Sequence, residues 1–389
     1  MLRGFSVWRK DLVHVNKTRD NHFMRFGEYY DMTLLVRASA RIGDHISDRG
    51  TKVVPIKTLL KGSAGYIEFY IRACIYYLLS HRKNSYDFIL SPIGEEPIGW
   101  LLRVISFTKP CLVFDLWDVP GLTISRSRSW LKEVARSAYE RILPGIIKSG
   151  DFVIAGVMKK GLADYLRPGQ FVIESENAVD SNSFIRSTRK EAAVDFDSDS
   201  LKLVYSGYVH PSRGASDLVG LVAELQQKSF PVKLYLVGPY DDPGRIEIER
   251  LAVSSEVNDK VVFIGEIPSD LIPSVITRAD ICFCPLEDIE KFRWSFPVKI
   301  YEYLALGCVV VASDLPGIRE LIRDGENGFL YKSGDVSSLA DIVLRASSNI
   351  ELSDTIRRNA ISSVAGKDWD SVFKKVVSSL TPSLEANRR

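Results

Sequence analysis

Two residues of opposite charge, Lys299 and Glu302, stand three positions apart in the otherwise apolar segment SFPVKIYEYLALG. Ser295 is a candidate N-cap, Pro297 suits the first turn of a helix, and Gly307 is a typical helix terminator. The helix dipole disfavours a lysine in the first turn, so a bound anion would explain its position. The segment therefore predicts an anion site at the N-terminus of a helix.

Glu302 lies one turn further along the same predicted helix. Its carboxylate offers two acceptor oxygens, which suit the two hydroxyls of a ribose. A phosphate at the helix start and a ribose one turn on together describe a nucleotide. The alternative is an i,i+3 ion pair between Lys299 and Glu302, worth about 0.2–0.5 kcal/mol. These two residues alone leave both interpretations open.

The composition narrows the classes of protein. A chain of 389 residues with 46% hydrophobic residues is long enough for two domains. Its 51 Lys and Arg balance 49 Asp and Glu, so nothing predicts a nucleic-acid partner. The five cysteines lie mostly in apolar runs without zinc spacing, which is typical of small buried residues in a reducing compartment. No segment reaches the roughly 18 apolar residues of a membrane span, and we expect a cytoplasmic location.

The pattern of apolar runs predicts an α/β protein. From about residue 200, runs such as LKLVYSG, VKLYLVG and CVVVAS alternate with helix-like segments, and MTLLVRAS, DFILSP and CLVFDLWD do so in the first half. Strands that are apolar throughout indicate parallel sheets, which bind ligands at the carboxyl ends of their strands. We expect an N-terminal domain over 1–182, a C-terminal domain over 198–365, and a helix with a tail over 366–389 that crosses back to the N-terminal domain.

The order of several motifs resembles that of a known enzyme family. LKLVYSGYVHPSRG, GEIPSDL, FPVKIYEYLALGCVVVAS and DGENGFLY together look like the C-terminal domain of GT-B-fold glycosyltransferases, more narrowly the retaining family-four class, glycosyl transferases group 1. The resemblance implies two Rossmann-like domains facing a cleft. It also implies transfer of a sugar from a UDP-, GDP- or ADP-sugar to a glycan or lipid-linked acceptor in glycan or polysaccharide biosynthesis, with no cofactor.

The same resemblance implies roles for particular residues. Arg213, in the loop after the first strand of the C-terminal domain, would neutralise charge on the leaving diphosphate. Glu302 would hold the ribose. The other donor-binding residues that it implies are Ser295, Phe296 and Val298 at the helix start, and Gly238, Pro239 and Ile267 near the base.

Three features depart from the family pattern. Trp294 stands where the first glutamate of the Glu-x7-Glu motif is expected, and Glu287 or Glu290 is the candidate to replace it. Tyr208 stands where the family usually has an arginine, and Lys299 can replace that charge. In place of the usual glycine-rich N-terminal loop the chain has Asn16, Lys17, Arg19, Asp20 and His22.

Asp118, at the end of the predicted strand CLVFDLWD, is the candidate to orient the acceptor or the donor sugar. A helix N-cap or a loop hydrogen bond would explain it equally well. No metal is expected, because no Asp-x-Asp motif stands at a strand end and Arg213, Lys299 and a helix N-terminus can neutralise a diphosphate. The resemblance implies a retaining transfer without a protein nucleophile, in which the leaving phosphate assists attack on the same face.

Two N-terminal stretches predict contact with an anionic membrane. Residues 126–148 carry Arg128, Lys132 and Arg136 at i, i+4 and i+8 beside apolar residues. The stretch 57–83 adds the aromatic residues Tyr66, Phe69, Tyr70, Tyr76 and Tyr77. The alternative is a solvated basic face and a buried aromatic helix. Membrane contact would favour a lipid-linked acceptor and place the protein at the inner face of the cell membrane.

Two other functions remain open. Trp294 and Tyr208 favour a non-catalytic nucleotide-sugar-binding partner of a glycosyltransferase complex. A B-fold sugar-nucleotide epimerase would need an acidic, histidine-rich cleft, which the sequence does not show.

Overall fold

Runs of β-branched residues form the strands of two sheets, as the sequence predicts. The computed structural model describes residues 1–11, 25–38, 45–47, 50–120, 122, 130–179, 184, 187–188 and 194–387. The chain divides into a first unit, Met1–Glu176 with Phe373–Arg389, and a second unit, Asn177–Val372. The domain limits 1–182, 198–365 and 366–389 stay a prediction, and the residues expected in the N-terminal loop lie outside the described ones.

The first unit is built on a mostly parallel sheet. Its strands are β1 Arg3–Asp11, β2 Asp31–Ala38, β3 His45–Ile46, β4 Lys52–Lys57, β5 Phe88–Pro92, β6 Cys111–Leu116, β7 Phe152–Ala155 and β8 Phe171–Glu174. They lie in the order β3-β4-β2-β1-β5-β6-β7-β8, and β3 pairs antiparallel with β4. The helices are α1 Gly62–Asn84, α2 Glu96–Ile105 and α3 Trp130–Lys148, with 3-10 turns at Phe26–Glu28 and Lys159–Tyr165.

The second unit contains a parallel sheet in the order β11-β10-β9-β12-β13-β14. Its strands are β9 Leu201–Ser206, β10 Val232–Val237, β11 Val261–Gly265, β12 Ile281–Cys284, β13 Val309–Ser313 and β14 Phe329–Tyr331. Its helices are α4 Ala215–Gln227, α5 Asp242–Ser254, α6 Ile272–Ile276, α7 Glu290–Arg293, α8 Val298–Ala305, α9 Pro316–Arg319, α10 Val336–Ser348 and α11 Ile350–Ser363. The last helix, α12 Trp369–Asn387, begins in this unit and ends in the first.

Helices cover both faces of the first sheet. On one face α1, α2 and α3 contribute buried residues such as Phe69, Leu102 and Leu143 to a single apolar cluster. On the other face Phe373, Val376, Leu380 and Leu384 of α12 pack with strand residues such as Met32 and Phe88. The fold class is therefore confirmed as α/β with two Rossmann-like domains, and α12 crosses back as predicted.

Three helices differ from the predicted elements. Neither α2 nor α11 was predicted from the pattern, since α2 is short and apolar on most positions and α11 buries only Ile356 and Ala360. The segment PGIRELIRDG contains only a single helical turn, α9. It is short because the Asn327 side chain accepts a hydrogen bond from the Arg323 N–H and donates one to the Leu321 carbonyl, which folds the chain into a turn.

The packing of α12 gives a stability prediction. Phe373 is 1% exposed, and its ring meets the Phe26 ring edge-on at 4.8 Å between centroids. We expect Phe373→Ala to lower the free energy of unfolding of the first unit by about 3–5 kcal/mol, because it removes a buried aromatic side chain and leaves a cavity. Urea unfolding followed by tryptophan fluorescence measures the loss. Lys374→Ala, at an exposed neighbour on α12, is the control and should leave the urea midpoint unchanged; equal midpoints for the two variants would refute the packing argument.

Candidate functional site

The second sheet changes winding direction at β9. Its first strand in the chain lies inside the sheet, with β10 on one side and β12 on the other. In such sheets ligands bind outside the carboxyl ends of the strands, at the point where the strand order reverses. A ligand-binding site is therefore expected among the residues that follow β9, β10 and β12.

Glycines let the backbone segments at this edge approach one another. A Cβ added to Gly238, after β10, would lie 2.0 Å from the Gly207 oxygen, and one added to Gly214 would lie 1.6 Å from the Pro285 oxygen. Both glycines have positive φ, 134° and 80°, a region that other residues rarely adopt. Side chains at either position would push apart the loops after β9, β10 and β12. The sequence signals for this packing are the glycines of LVYSG, PSRG and LVG.

Lys299 directs its charge to the end of β9. Its Nζ lies 3.8 Å from the centroid of the Tyr205 ring, in the range of a cation–π contact. A Cβ on Gly207 would lie only 2.9 Å from this Nζ. The ammonium is buried, and no described residue forms a hydrogen bond with it. The first turn of α8 therefore holds a buried cation at the switch point of the sheet.

Arg213 brings a second cation to the same place. It ends the 3-10 turn Pro211–Arg213 that follows β9, and its guanidinium carbon lies 4.8 Å from the centroid of the Phe292 ring. Burial raises the pKa of the Cys284 thiol to about 11, and the charges of Lys299 and Arg213 act against that rise. Gly214, which follows Arg213, packs closely on the Pro285 carbonyl just after β12, so Arg213 lies near the ends of both β9 and β12.

Glu302 lies on α8 one turn beyond Lys299. Burial raises the pKa of its carboxyl to about 7, against the opposing effect of the Lys299 charge. The ion pair between the two side chains that the sequence left open is not formed among the described residues, because the Lys299 ammonium has no hydrogen-bond partner there. Glu302 is thus a partly buried carboxyl group one turn from the Lys299 charge.

The start of α8 differs from the expected cap. The N-cap is Pro297 in an extended conformation, and the helix begins at Val298. The expected capping hydroxyl of Ser295 instead donates to the Phe292 carbonyl at the end of α7. The reason is that Pro297 disfavours the helical conformation for the residue before it, so the helix cannot start earlier. Gly307 follows the last helical turn as predicted, with its N–H donating to the Leu304 carbonyl.

Neighbouring segments fix the position of α8. The Tyr303 hydroxyl accepts a hydrogen bond from the Ser206 N–H at 2.9 Å, which ties α8 to the end of β9. The buried Asn177 amide donates to the Phe296 carbonyl just before the helix. A Cβ on Gly317 would lie 2.3 Å from the Ser295 oxygen, so α9 also packs closely on this segment. The sequence analysis missed the Ser206–Tyr303 contact, because no pattern along the chain links residues so far apart.

The two positions that depart from the family pattern both have local partners. The Tyr208 hydroxyl donates to Asp241 at 2.8 Å. The indole N–H of Trp294 donates to Glu290 at 2.9 Å. Glu290, one candidate for the missing motif glutamate, is exposed and accepts this hydrogen bond. Glu287, the other candidate, is partly buried just beyond β12.

The remaining predicted donor residues extend along the same edge of the sheet. Gly238 and Pro239 follow β10, and Ile267 follows the outer strand β11 by two residues. The Gly238 N–H donates to the Gly265 carbonyl, which joins the ends of β10 and β11. Arg213 and Lys299 thus lie near the ends of β9 and β12. Ile267 lies beyond the end of β11, which is two strands from β9.

Asp118 belongs to the first unit, two residues beyond β6 and partly buried. Three residues before it, the sequence analysis missed Asp115, a buried carboxyl group whose pKa burial raises to about 8 while the Trp117 side chain acts against that rise. The signal for it was a lone carboxylate inside the apolar run CLVFDL. Within the described ranges, no cluster of three or more His, Cys, Asp or Glu could hold a metal ion.

The two stretches predicted to contact a membrane look different in the structure. Phe69 and Tyr77 are fully buried in the core, Tyr70 and Tyr76 are partly buried, and Tyr66 is exposed. The Arg136 guanidinium pairs with both Glu133 and Glu140, and Arg128 and the Lys132 side chain lie outside the described residues. In the described part of the chain no helix has the length and apolar character needed to cross a membrane.

The raised pKa of Glu302 predicts how stability depends on pH. The usual pKa of this carboxyl group is 4.5, and in the folded protein it is about 7. Between these two pH values, Glu302 keeps a proton in the folded protein that it has released in the unfolded chain. The free energy of unfolding contributed by this group therefore falls as pH rises through that window. We expect Glu302→Gln, which cannot ionise, to gain stability relative to the unsubstituted protein between about pH 5 and about pH 8. Urea unfolding at each pH tests this, with Glu351→Gln at an exposed site as the control; parallel curves for Glu302→Gln and the unsubstituted protein would contradict it.

Two comparisons of the sequence with known proteins find matches for this chain. Residues 200–349 match the family model described as Glycosyl transferases group 1. The alpha-D-kanosaminyltransferase of Streptomyces kanamyceticus is 22% identical over 348 residues, which cover 85% of this chain and 87% of that protein.

Solved structures match the chain over nearly its whole length. The sucrose-phosphate synthase of Thermosynechococcus elongatus has a TM-score of 0.76 at 17% identity, covering 99% of this chain and 100% of the other. The Anabaena protein HepE, solved in complex with UDP-glucose, has a TM-score of 0.73 at 17% identity, covering 98% and 100%. The predicted resemblance is therefore confirmed: the chain has the fold of the GT-B glycosyltransferases, and residues 200–349 of its second unit match the model of the glycosyl transferases group 1 family.

Proposed function

We propose that this protein is a retaining glycosyltransferase that moves a sugar from a nucleoside diphosphate sugar to a glycan or lipid-linked acceptor without a metal ion. The observation that carries the proposal is the buried Lys299 ammonium at the end of β9, which has no hydrogen-bond partner among the described residues. Burying a charge without a partner costs several kcal/mol. A diphosphate would provide the opposite charge, and a match to a protein solved with UDP-glucose supports this class of ligand.

Arg213, Lys299 and the first N–H groups of α8 would bind the diphosphate. Lys299 lies against the Tyr205 ring of β9, and Arg213 lies in the turn that follows β9, so both cations are at the carboxyl end of the same strand. The first N–H groups of a helix have no partners within the helix, and its dipole favours an anion. As the bond to the sugar breaks, negative charge grows on the leaving phosphate, and fixed cations stabilise that charge. A metal ion is then not needed for neutralisation.

Glu302 would bind the ribose, with the base toward β10 and β11. The carboxyl group lies one helical turn from Lys299, which matches the order of diphosphate and ribose in a nucleotide. Ribose hydroxyls that donate to Glu302 favour its ionised form, and Lys299 does the same. Gly238, Pro239 and Ile267 continue along the edge of the sheet and would contact the base.

The transfer itself would need no nucleophile from the protein. The acceptor hydroxyl oxygen forms a bond to the anomeric carbon while the bond from that carbon to the phosphate oxygen breaks. The leaving phosphate takes the hydroxyl proton, and attack on the face that it leaves retains the configuration. Asp118, in the first unit, is the residue we propose to orient the acceptor or the donor sugar. Trp294 stands where the family has a sugar-binding glutamate, so Glu287 is the remaining candidate for that contact.

The acceptor class is proposed from the first unit. Exposed apolar residues of the stretches 57–83 and 126–148, such as Ile71 and Val134, favour peripheral contact with a membrane. A lipid-linked acceptor would be met at such a surface. A glycan acceptor that is not linked to a lipid is the other class consistent with the family match.

Nucleotide release tests the donor site. Thermal stabilisation by UDP, GDP and ADP first identifies the base, because a ligand that binds only the folded state raises its stability. With donor sugars of that nucleotide, we expect Arg213→Ala and Glu302→Ala each to reduce nucleotide release by about 10²-fold or more, since they remove charge stabilisation and ribose binding. Arg358→Ala, at an exposed arginine that contacts Thr355, is the matched control and should keep the full rate.

One outcome would favour the non-catalytic alternative. If the unsubstituted protein binds the nucleotide but releases none from any donor with any acceptor extract, the enzyme proposal fails. Tyr208 and Trp294, each hydrogen-bonded to a neighbouring carboxylate, would then mark a site that binds but does not transfer.

The stereochemistry of the product tests the retaining mechanism. From an α-linked sugar nucleotide we expect an α-linked product, because the acceptor attacks the face that the phosphate leaves. The coupling constant of the anomeric proton in the NMR spectrum of the product decides between the two anomers. We also expect EDTA to leave the rate unchanged. A β-linked product, or a rate that EDTA abolishes and Mg²⁺ restores, would refute the mechanism.

A further inference from the structure

The outer side of α1 is apolar although it faces solvent. Its inner side packs on the sheet through Phe69, Ala73 and Tyr77, which are fully buried. Four residues at i, i+4, i+8 and i+12 form a stripe on the other side, with exposures of 62%, 56%, 53% and 60% in the order Ile67, Ile71, Ile75 and Leu79. A helix on the surface of a protein normally carries polar residues there.

The neighbouring helices extend this surface. Trp100, Leu101 and Val104 of α2 and the following Phe107 are exposed, and so are Trp130, Val134 and Ile142 of α3. All three helices pack through one apolar cluster on the same face of the sheet, and α2 contacts both α1 and α3. Their exposed sides therefore point away from the sheet together. We call these exposed residues of α1, α2 and α3, with Phe107, the outer helical face.

Single exposed apolar residues are normal on proteins, but a surface formed by three adjacent helices indicates a docking site. The charges around it select the partner. The stretch 57–84 carries five Lys and Arg and one acidic residue, Glu68. The Glu68 carboxylate is already engaged, because it accepts the N–H groups of Leu59 and Leu60 and pairs with Arg72.

The other acidic side chains of these helices also have hydrogen-bond or ion-pair partners. Glu95, just before α2, and Glu96 are buried and accept hydrogen bonds from the hydroxyls of Tyr70 and Tyr139. On α3, Glu133 and Glu140 both pair with Arg136. Exposed basic residues on these helices or near their ends in the chain include Lys57, Lys61, Arg82, Lys83, Lys109 and Arg141.

We propose that the outer helical face docks on an anionic lipid bilayer, with the apolar stripes at the level of the headgroups and the basic residues against the lipid phosphates. Apolar residues with tryptophan inside a ring of lysine and arginine suit the membrane interface. A second copy of the chain fits less well, because a symmetric dimer through this face would bring its basic residues against one another. The docking rests on the proposed function only in its purpose, which is access to a lipid-linked acceptor.

Vesicle sedimentation of the full chain, without donor or acceptor, tests the docking. We expect binding to vesicles of phosphatidylcholine with phosphatidylglycerol, and much weaker binding to phosphatidylcholine alone or at raised salt. Ile71→Glu with Ile75→Glu should weaken binding to the anionic vesicles by about tenfold or more, since it removes inserted apolar area. Arg82→Glu with Lys83→Glu should have a similar effect, since each basic residue near an anionic surface contributes about 1 kcal/mol.

The control is Val253→Glu with Ile350→Glu, which alters two exposed apolar residues of the second unit and should bind vesicles like the unsubstituted protein. Circular dichroism shows whether each variant is folded. Equal binding to neutral and anionic vesicles, or full binding by both outer-face variants, would overturn the proposal. Concentration-dependent dimers that Ile71→Glu with Ile75→Glu abolishes, without vesicle binding, would overturn it in favour of a protein interface. Stabilisation by nucleotide is measured on the same samples, so a failure of docking is distinguished from a failure of the donor site.

Discussion

The buried ammonium of Lys299 is the constraint on which the arrangement of the second unit depends. Its Nζ lies against the Tyr205 ring at the end of β9, and no described residue forms a hydrogen bond with it. The contact with an aromatic ring compensates a small part of the cost of burying a charge. The position in the first turn of α8 adds an unfavourable interaction with the helix dipole. Both costs become favourable contributions once an anion binds at the same place, which is why a site for a diphosphate explains the residue better than a structural role.

Holding that charge in place requires close packing of loops. The glycines at 207, 214 and 238 bring the segments after β9, β10 and β12 within contact of one another. The Tyr303 hydroxyl then ties α8 to Ser206, and the Asn177 amide holds the Phe296 carbonyl before the helix. Because these contacts use buried side chains and backbone atoms, they restrict the positions that the cations can adopt. Preorganised charges of this kind need no rearrangement as charge develops on a leaving group.

The sequence predicts most of the fold because the strands are apolar throughout and separated by recognisable helices. It predicts less where two signals compete. Ser295 has the type of an N-cap, but the effect of Pro297 on its neighbour delays the helix, and the hydroxyl binds the previous turn instead. The i,i+3 spacing of Lys299 and Glu302 permitted an ion pair, but in the structure no described residue forms a hydrogen bond with the Lys299 ammonium. Contacts such as that between Ser206 and Tyr303 join distant parts of the chain and leave no local pattern.

The sequence indicated two of the stretches that form the outer helical face, but not which of their residues are exposed. An amphipathic helix shows its buried side by periodicity, but α1 has apolar residues on both sides, so the pattern does not indicate which side faces the sheet. The aromatic residues suggested an outer surface, whereas Phe69 and Tyr77 fill the core and the isoleucines at 67, 71 and 75 remain exposed. The acidic residues give the more specific information, since Glu68, Glu133 and Glu140 all pair with arginines of their own helix. Exposed apolar and cationic groups beside paired carboxylates are the observations that support the proposed contact with an anionic, partly apolar partner.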